Sequence, residues 1–104
     1  MQLFTEKVIH IIRDIPAGKV MTYGQVAAAA GSPRGARQVS RILHSMSRNH
    51  NLPWHRIVNA QGRIVIQDDE ARYAQTNSLR EEGVVVDRSG KVDLSGYRHF
   101  PELK

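Results

Sequence analysis

The sequence predicts a mainly α-helical domain with small β elements, of winged helix-turn-helix type. Three observations lead there. Apolar residues recur at helical spacing near the N-terminus: Leu3, Phe4, Val8, Ile11, Ile12 and Ile15. Two further helical stretches are separated only by Gly31-Ser32-Pro33, a break that ends one helix and starts the next. Short β-type runs with Gly-containing turns follow in the second half. A chain of 104 residues fits one domain, spanning 1–104, with one modest core.

The first helix should run from about residue 2 to 14 and end at Pro16-Ala17-Gly18. Lys19 to Tyr23 reads as a short extended link. Thr22 is a good N-cap, and Gln25 three residues later completes a capping box. The second helix then stops at Gly31, a natural residue for the left-handed position after a helix. Ser32 can cap the next helix with Pro33 in its first turn, which predicts a third helix over Pro33–Ser47. Arg56–Gln67 reads as a β-hairpin turning at Ala60-Gln61-Gly62. The stretch from Asp68 to Gly83 opens with acids and ends on Gly, so it reads as a fourth helix. A second hairpin should turn near Ser89-Gly90, and Tyr97 and Phe100 in the tail are placed to pack back on the domain.

The third helix divides into two faces. Val39, Ile42, Leu43 and Met46 form one stripe, while Arg34, Arg37, Arg41, His44 and Arg48 form the other. A solvated surface helix would interleave acids among its bases, and this one has none. The pattern extends beyond the helix. From Ile15 to Gln67 there is no Asp or Glu, but there are Lys19, Arg34, Arg37, Arg41, Arg48, Arg56 and Arg63. The rest of the chain carries eight basic and ten acidic residues, so the net charge of +5 comes from this window. Such a stretch, rich in Arg over Lys, favours a polyanion as partner, and a helix with arginines in front and apolar residues behind suits a nucleic-acid groove.

Other chemistry is excluded. There is no cysteine, hence no disulfide, thiolate metal site or thiol-based catalysis. The five histidines show no metal-ligand spacing, so neither a metal nor a cofactor is expected. No apolar run is long enough for a membrane span. Glu6, His10, Arg13 and Asp14 interrupt the apolar pattern of the N-terminus as no signal-peptide core would be, so a cytoplasmic protein, nucleoid-associated when bound to DNA, is expected.

Several motifs occur together in one order: IPAGKVMTYGQVA (Ile15 to Ala27), Gly31 with Pro33, Ala36-Arg37 with Val39, PWHRIV (Pro53 to Val58), and Leu79 with Glu82-Gly83-Val84. This ordered set resembles the C-terminal domain of the O6-alkylguanine-DNA alkyltransferases across essentially the whole chain, most clearly from Ile15 to Gly83. Those enzymes carry Pro-Cys-His-Arg where this chain has Pro53-Trp54-His55-Arg56. With Trp54 at the cysteine position the chain is similar to the alkyltransferase-like proteins, which bind alkylated DNA without repairing it. Chemistry agrees independently, because removing an alkyl group from guanine O6 needs a strong soft nucleophile, and an indole is not one. A lone Trp is usually a core aromatic. In this loop it is better read as an apolar wall of a pocket.

The resemblance implies roles for single residues. Tyr23 corresponds to the tyrosine that rotates the 3′ phosphate and contacts the flipped base, and Arg37 to the arginine finger that fills the vacated stack. Thr22, Ser32, Arg34 and Arg41 fall with them on the DNA-binding surface. Pro33, Gly35, Ala36 and Ser40 are small, which would let the helix lie close in a minor groove. His55 and Glu82 correspond to the groups that activate the cysteine, and are expected here to remain as hydrogen-bond partners. The backbone after Arg56, including Ile57, should present carbonyls to the guanine amine. Two positions depart from the family. The Tyr-Ser-Gly stretch that helps bind the base has no equivalent in IVIQDDEARYAQ (Ile64 to Gln75), and Gln67 stands where some alkyltransferase-like proteins have a basic residue.

The expectation is therefore a non-enzymatic, monomeric sensor of O6-alkylguanine in double-stranded DNA. It would flip the damaged base into a pocket and flag it for nucleotide excision repair proteins. Two alternatives stay open: a sequence-specific helix-turn-helix regulator, which would prefer one operator and ignore lesions, and a residual enzyme in which His55 and Glu82 activate water.

Overall fold

The computed structural model describes residues 3–101, without the side chains of Arg48 and Asn49. In chain order the elements are α1 (Phe4–Arg13), β1 (Met21–Thr22), α2 (Tyr23–Ala29), α3 (Ala36–His50), one 3-10 turn (Trp54–Arg56), β2 (Ile57–Val58), α4 (Asp69–Glu81) and α5 (Leu94–Tyr97). The result is the expected mainly helical architecture with small β elements.

Two cores are built on either side of one small sheet. β1 and β2 pair in parallel, with Met21 opposite Ile57 and Thr22 opposite Val58. Successive strand residues point to opposite faces. Met21 and Ile57 accordingly join Val8, Ile12, Val26, Val39 and Leu43 in a core between α1, α2 and α3. Val20 and Val58 join Ile64, Leu79, Val84, Val86 and Val92 in a second core under α4. Each fully buried Val or Ile side chain contributes about 2 kcal/mol by leaving water. The sheet is thus a septum that fixes the helix-turn-helix half against the α4 half.

The local signals of the first half act as expected. Thr22 Oγ1 accepts from the Gln25 amide at 3.0 Å, and Gln25 Oε1 accepts from the Thr22 amide at 3.3 Å, closing the capping box. Gly31 ends α2 in the left-handed region at φ 95°. The third helix differs from expectation at both ends. Ser32, Pro33 and Arg34 form a turn, closed by the Gly35 amide donating to the Ser32 carbonyl at 2.8 Å, and α3 begins only at Ala36. Without a side-chain cap at Ser32 the Pro ring starts a turn and not a helix. α3 then runs past Ser47 until Asn51 adopts the left-handed conformation at φ 51°. It is unbroken through Arg37–Leu43.

The expected Arg56–Gln67 hairpin does not form. Its turn is real: the Asn59 amide donates to the Arg63 carbonyl, and Asn59 Oδ1 accepts from the amides of Gln61 and Arg63. The two arms, however, go to different partners. β2 pairs with β1, whereas Arg63 bridges antiparallel to Lys91, and the Ile64 amide donates to the Gly90 carbonyl. Burying Ile57 and Val58 on both faces of the septum outweighs local pairing. Gly62 marks the crossing point at φ 82°, where a β-carbon would run into the Val92 carbonyl oxygen.

The fourth helix forms as expected, as α4, and Asp68 caps it, its Oδ2 accepting from the Ala71 amide. The second hairpin turn also forms, with the Asp87 amide donating to the Lys91 carbonyl and Val86 bridging to Val92. The tail was expected to pack through both aromatics. Tyr97 does so against the second core, and its carbonyl accepts from the Val20 amide. Phe100 is 72% exposed, because the backbone of His99 already pairs with Val20 and turns the next residue outward.

Candidate nucleic-acid interface and groove

α3 presents the arginine face. Val39 and Leu43 are buried against the first core, which turns Arg37, Arg41 and His44 to solvent, and Arg34 is exposed in the turn before the helix. None of the four has a carboxylate within 4.0 Å among the described residues. Their charge is therefore uncompensated by contact. Arg48 was expected on the same face, but its side chain lies outside the described residues.

The small residues around Arg37 have different environments. Pro33 and Ser40 are exposed, and Ala36 is half-buried. Gly35 is buried, and a β-carbon there would meet the Phe4 ring at 3.0 Å. Its smallness serves the contact of α1 with the turn. Thr22 is buried and spent on the capping box, and Ser32 supplies its carbonyl to the turn.

Beside α3 lies a groove of about 860 Å³. One wall comes from Tyr23 and from Ser40, Leu43, His44 and Ser47 of α3. Asn51, Leu52 and Trp54 close the end, and Val65, Ile66, Gln67 and Asp68 with Ala71 and Gln75 of α4 form the other wall. Trp54 packs against the first core while lining the groove, so both readings of a lone Trp hold at once. Tyr23 is half-buried, and burial raises its phenol pKa, keeping the hydroxyl protonated as a donor. The 65–68 stretch, which lacks the family's Tyr-Ser-Gly, supplies this wall with its own residues, Gln67 among them.

The remaining loop residues are not part of the groove lining. His55, Arg56 and Glu82 close a small polar cluster next to it. His55 Nε2 lies 2.7 Å from Glu82 Oε2. Arg56 donates from Nη2 to Glu82 Oε2 at 2.6 Å and from Nε to Oε1 at 3.0 Å, and its Nη1 reaches the Ile15 carbonyl at 2.8 Å. The Gly18 amide completes the set on Glu82 Oε1 at 3.1 Å. Arg56 above all, then His55 and the Gly18 amide, outweigh burial and hold the Glu82 carboxyl down at about 2. His55 and Glu82 thus remain hydrogen-bond partners as expected. Arg56, read as a pocket residue, is instead the counter-ion of Glu82.

Ile57 also departs from expectation. Its side chain is buried in the first core. The carbonyls of His55 and Ile57 accept from Gln75 Nε2 at 3.2 and 3.0 Å, so the Ile57 carbonyl, one of those expected to face the guanine amine, already has a partner within the protein. Gln75 is a buried polar residue on the inward stripe of α4, and its amide must find partners there. Sequence reasoning missed it, although a Gln one turn before Leu79 on an apolar face was the available signal. His44, Ser47 and Asn51 were missed as groove residues because only the fold brings the end of α3 opposite the 65–68 stretch.

The model of the 6-O-methylguanine DNA methyltransferase DNA-binding domain matches residues 3–84. The chain belongs to this family. Among its relatives, a DNA base-flipping protein of Escherichia coli is 45% identical over 95 residues, covering 91% of this chain and 73% of that protein. Alkyltransferase-like protein 1 of Schizosaccharomyces pombe is 39% identical over 106 residues, covering 97% and 98%. The crystal structure of S. pombe Atl1 in complex with damaged DNA containing O6-carboxymethylguanine has a TM-score of 0.86 to this fold at 34% identity, covering 97% of this chain and 100% of that one. In this family member the loop that holds a cysteine in the enzymes offers Trp54 to the groove and turns its other polar groups inward.

Proposed function

We propose that this protein is a non-enzymatic sensor of O6-alkylguanine in duplex DNA. The observation that carries the reading is the open groove beside an uncompensated arginine face, walled by Trp54 in a chain without any thiol. α3 approaches the minor groove through its Ser40 side, with Arg34 and Arg41 on phosphates. Arg37 fills the stack left by the flipped guanine. Tyr23 turns the adjoining phosphate, and the base enters the groove so that its alkyl group meets Trp54. Flipping costs a few kcal/mol and is least costly where the lesion already weakens pairing. The bound monomer then marks the site for nucleotide excision repair proteins.

The family resemblance, the relative named for base flipping and the Atl1 complex with damaged DNA support this reading. A competition titration of plain and O6-methylguanine duplexes, followed by mass spectrometry of protein and DNA, tests it. Tighter lesion binding with both masses unchanged is expected. Equal affinity for the two duplexes, or a demethylated product, would overturn it.

A further inference from the structure

A second basic surface lies away from the groove. Arg72, Thr76 and Arg80 follow one another at single-turn spacing along α4, and the Asp87–Gly90 turn with Arg88 faces them across a cleft of about 140 Å³. The guanidiniums are held but not neutralised. Arg72 Nε donates to the Ile66 carbonyl at 3.3 Å, and Arg80 Nη2 to the Val86 carbonyl at 2.8 Å. Neither has a carboxylate within 4.0 Å among the described residues, and the same holds for Arg88. The one acid of the cleft, Asp87, is engaged by its own turn, accepting from the amides of Ser89 and Lys91 and from the Ser89 hydroxyl. Anchored guanidinium groups with no carboxylate within 4.0 Å, three of them against the single ionised Asp87, form a receptor for added carboxylates, since their side-chain entropy is already partly lost.

We propose that this face docks an acidic segment of a partner protein. Two observations favour protein over nucleic acid. The face is offset from the groove: Ala71 and Gln75 line the groove, Arg72 and Thr76 each lie one position on, about 100° around the helix, and Arg72 meets the groove wall only from behind, at the Ile66 carbonyl. It therefore stays open while a base occupies the groove. It also carries apolar surface that phosphate contact does not need. Tyr73, three residues before Thr76 and seven before Arg80 and so on the same side of the helix, is 70% exposed. Tyr and Arg together with flanking apolar groups are the composition of protein interfaces. Arg72 and Arg80 are roughly 12 Å apart along the axis, so an acidic helix or extended strand with carboxylates two turns or a few residues apart would match them.

The inference stands apart from the DNA reading, because the test works with or without lesion preference. The full chain, saturated with plain duplex, is titrated with a short Glu-rich peptide containing one Leu, and amide shifts are followed by NMR. Saturable shifts at Arg72, Thr76, Arg80, Ser89 and Gly90, with the duplex still bound, are expected. The triple variant Arg72→Gln, Arg80→Gln, Arg88→Gln should weaken the peptide about tenfold and the duplex by less than about twofold. Since Arg72 and Arg80 also hold backbone carbonyls, Arg88→Gln alone, which breaks no internal bond, should still weaken the peptide about twofold. The proposal fails if the shifts map to α3, if the duplex displaces the peptide, if plain duplex alone moves the α4 amides, or if inorganic phosphate competes as well as the peptide does.

Discussion

Residues 53–58 face two different worlds. Trp54 looks into an open groove that runs beside the exposed arginine face of α3, while His55 and Arg56, its immediate neighbours, converge on Glu82 in a cluster where every charge is met. On the groove side Arg34, Arg37 and Arg41 have no carboxylate within 4.0 Å among the described residues. The cluster side is finished without any partner, for it ties the loop to Ile15, Gly18 and the end of α4. By the resemblance His55 and Glu82 correspond to groups that activate the cysteine of the enzymes; here, in a chain without cysteine, they have a structural use. Their hydrogen bonds hold the septum between the two cores, and that need does not depend on chemistry at Trp54.

The strongest test of this division is Glu82→Gln. It leaves the Arg56 guanidinium half-buried and without its carboxylate, and should cost about 3 kcal/mol in urea unfolding. Binding by the folded fraction should keep its lesion preference. The pH dependence must follow the same group. Because the folded carboxyl sits near 2 against an ordinary 4.5, its contribution is complete above 4.5 and is lost as pH falls from there towards 2. That acid limb, on the order of 2 kcal/mol once solvent screening of the partly exposed carboxyl is allowed for, should be missing in the variant. A variant as stable as the parent would make the cluster a relic without structural weight.

How much of this was legible in the sequence follows the range of the interactions. Much of what is decided within a turn was readable: the Thr22–Gln25 box, Gly31 and the opposed faces of α3, though the cap expected at Ser32 proved to be a turn. The Asn59–Gly62 turn was readable too, yet the hairpin built on it was not, because Ile57 and Val58 gain more by pairing with Met21 and Thr22, far back in the chain. The same limit governs the site. Trp54 and Tyr23 were identified through resemblance and do line the groove, whereas Gln75, His44 and Asn51 came into view only with the tertiary arrangement.

On the groove side the expected effects are smaller and fall on binding. Arg37 is exposed and makes no side-chain hydrogen bond or salt bridge among the described residues. Arg37→Ala should therefore leave unfolding unchanged and weaken O6-methylguanine duplex about tenfold, with plain duplex affected less than about twofold. A fluorescent base analogue at the lesion should report less flipping. Normal flipping would remove the finger from the model.

Arg41→Ala should act more evenly. A phosphate contact carries no information about the base, so both duplexes should weaken about threefold, and the salt dependence should become shallower by about one in log–log slope. A change confined to lesion duplex would move Arg41 from the backbone to the pocket, and blur the line drawn between it and Arg37.

The smallest expected change is chemical, and it probes both sides of the loop at once. Trp54→Cys gives the Pro-Cys-His-Arg order next to a His55–Glu82 pair that is 2.7 Å apart, the pair to which the resemblance assigns activation of the thiol. Alkyl transfer is nonetheless expected to be absent. It needs sulfur about 3 Å from the alkyl carbon and in line with the leaving oxygen. A groove of about 860 Å³ is large for one base, and exchanging an indole for a thiol enlarges it further. The base would then lack the wall that presses it towards the loop. Lesion preference should fall about threefold as apolar contact with the ring is lost, while stability changes little beyond the part of the ring that packs on the first core. Intact-protein mass spectrometry after incubation with O6-methylguanine duplex decides the matter. A stoichiometric gain of one methyl group would mean that the groove side is as complete as the cluster side, lacking only its nucleophile.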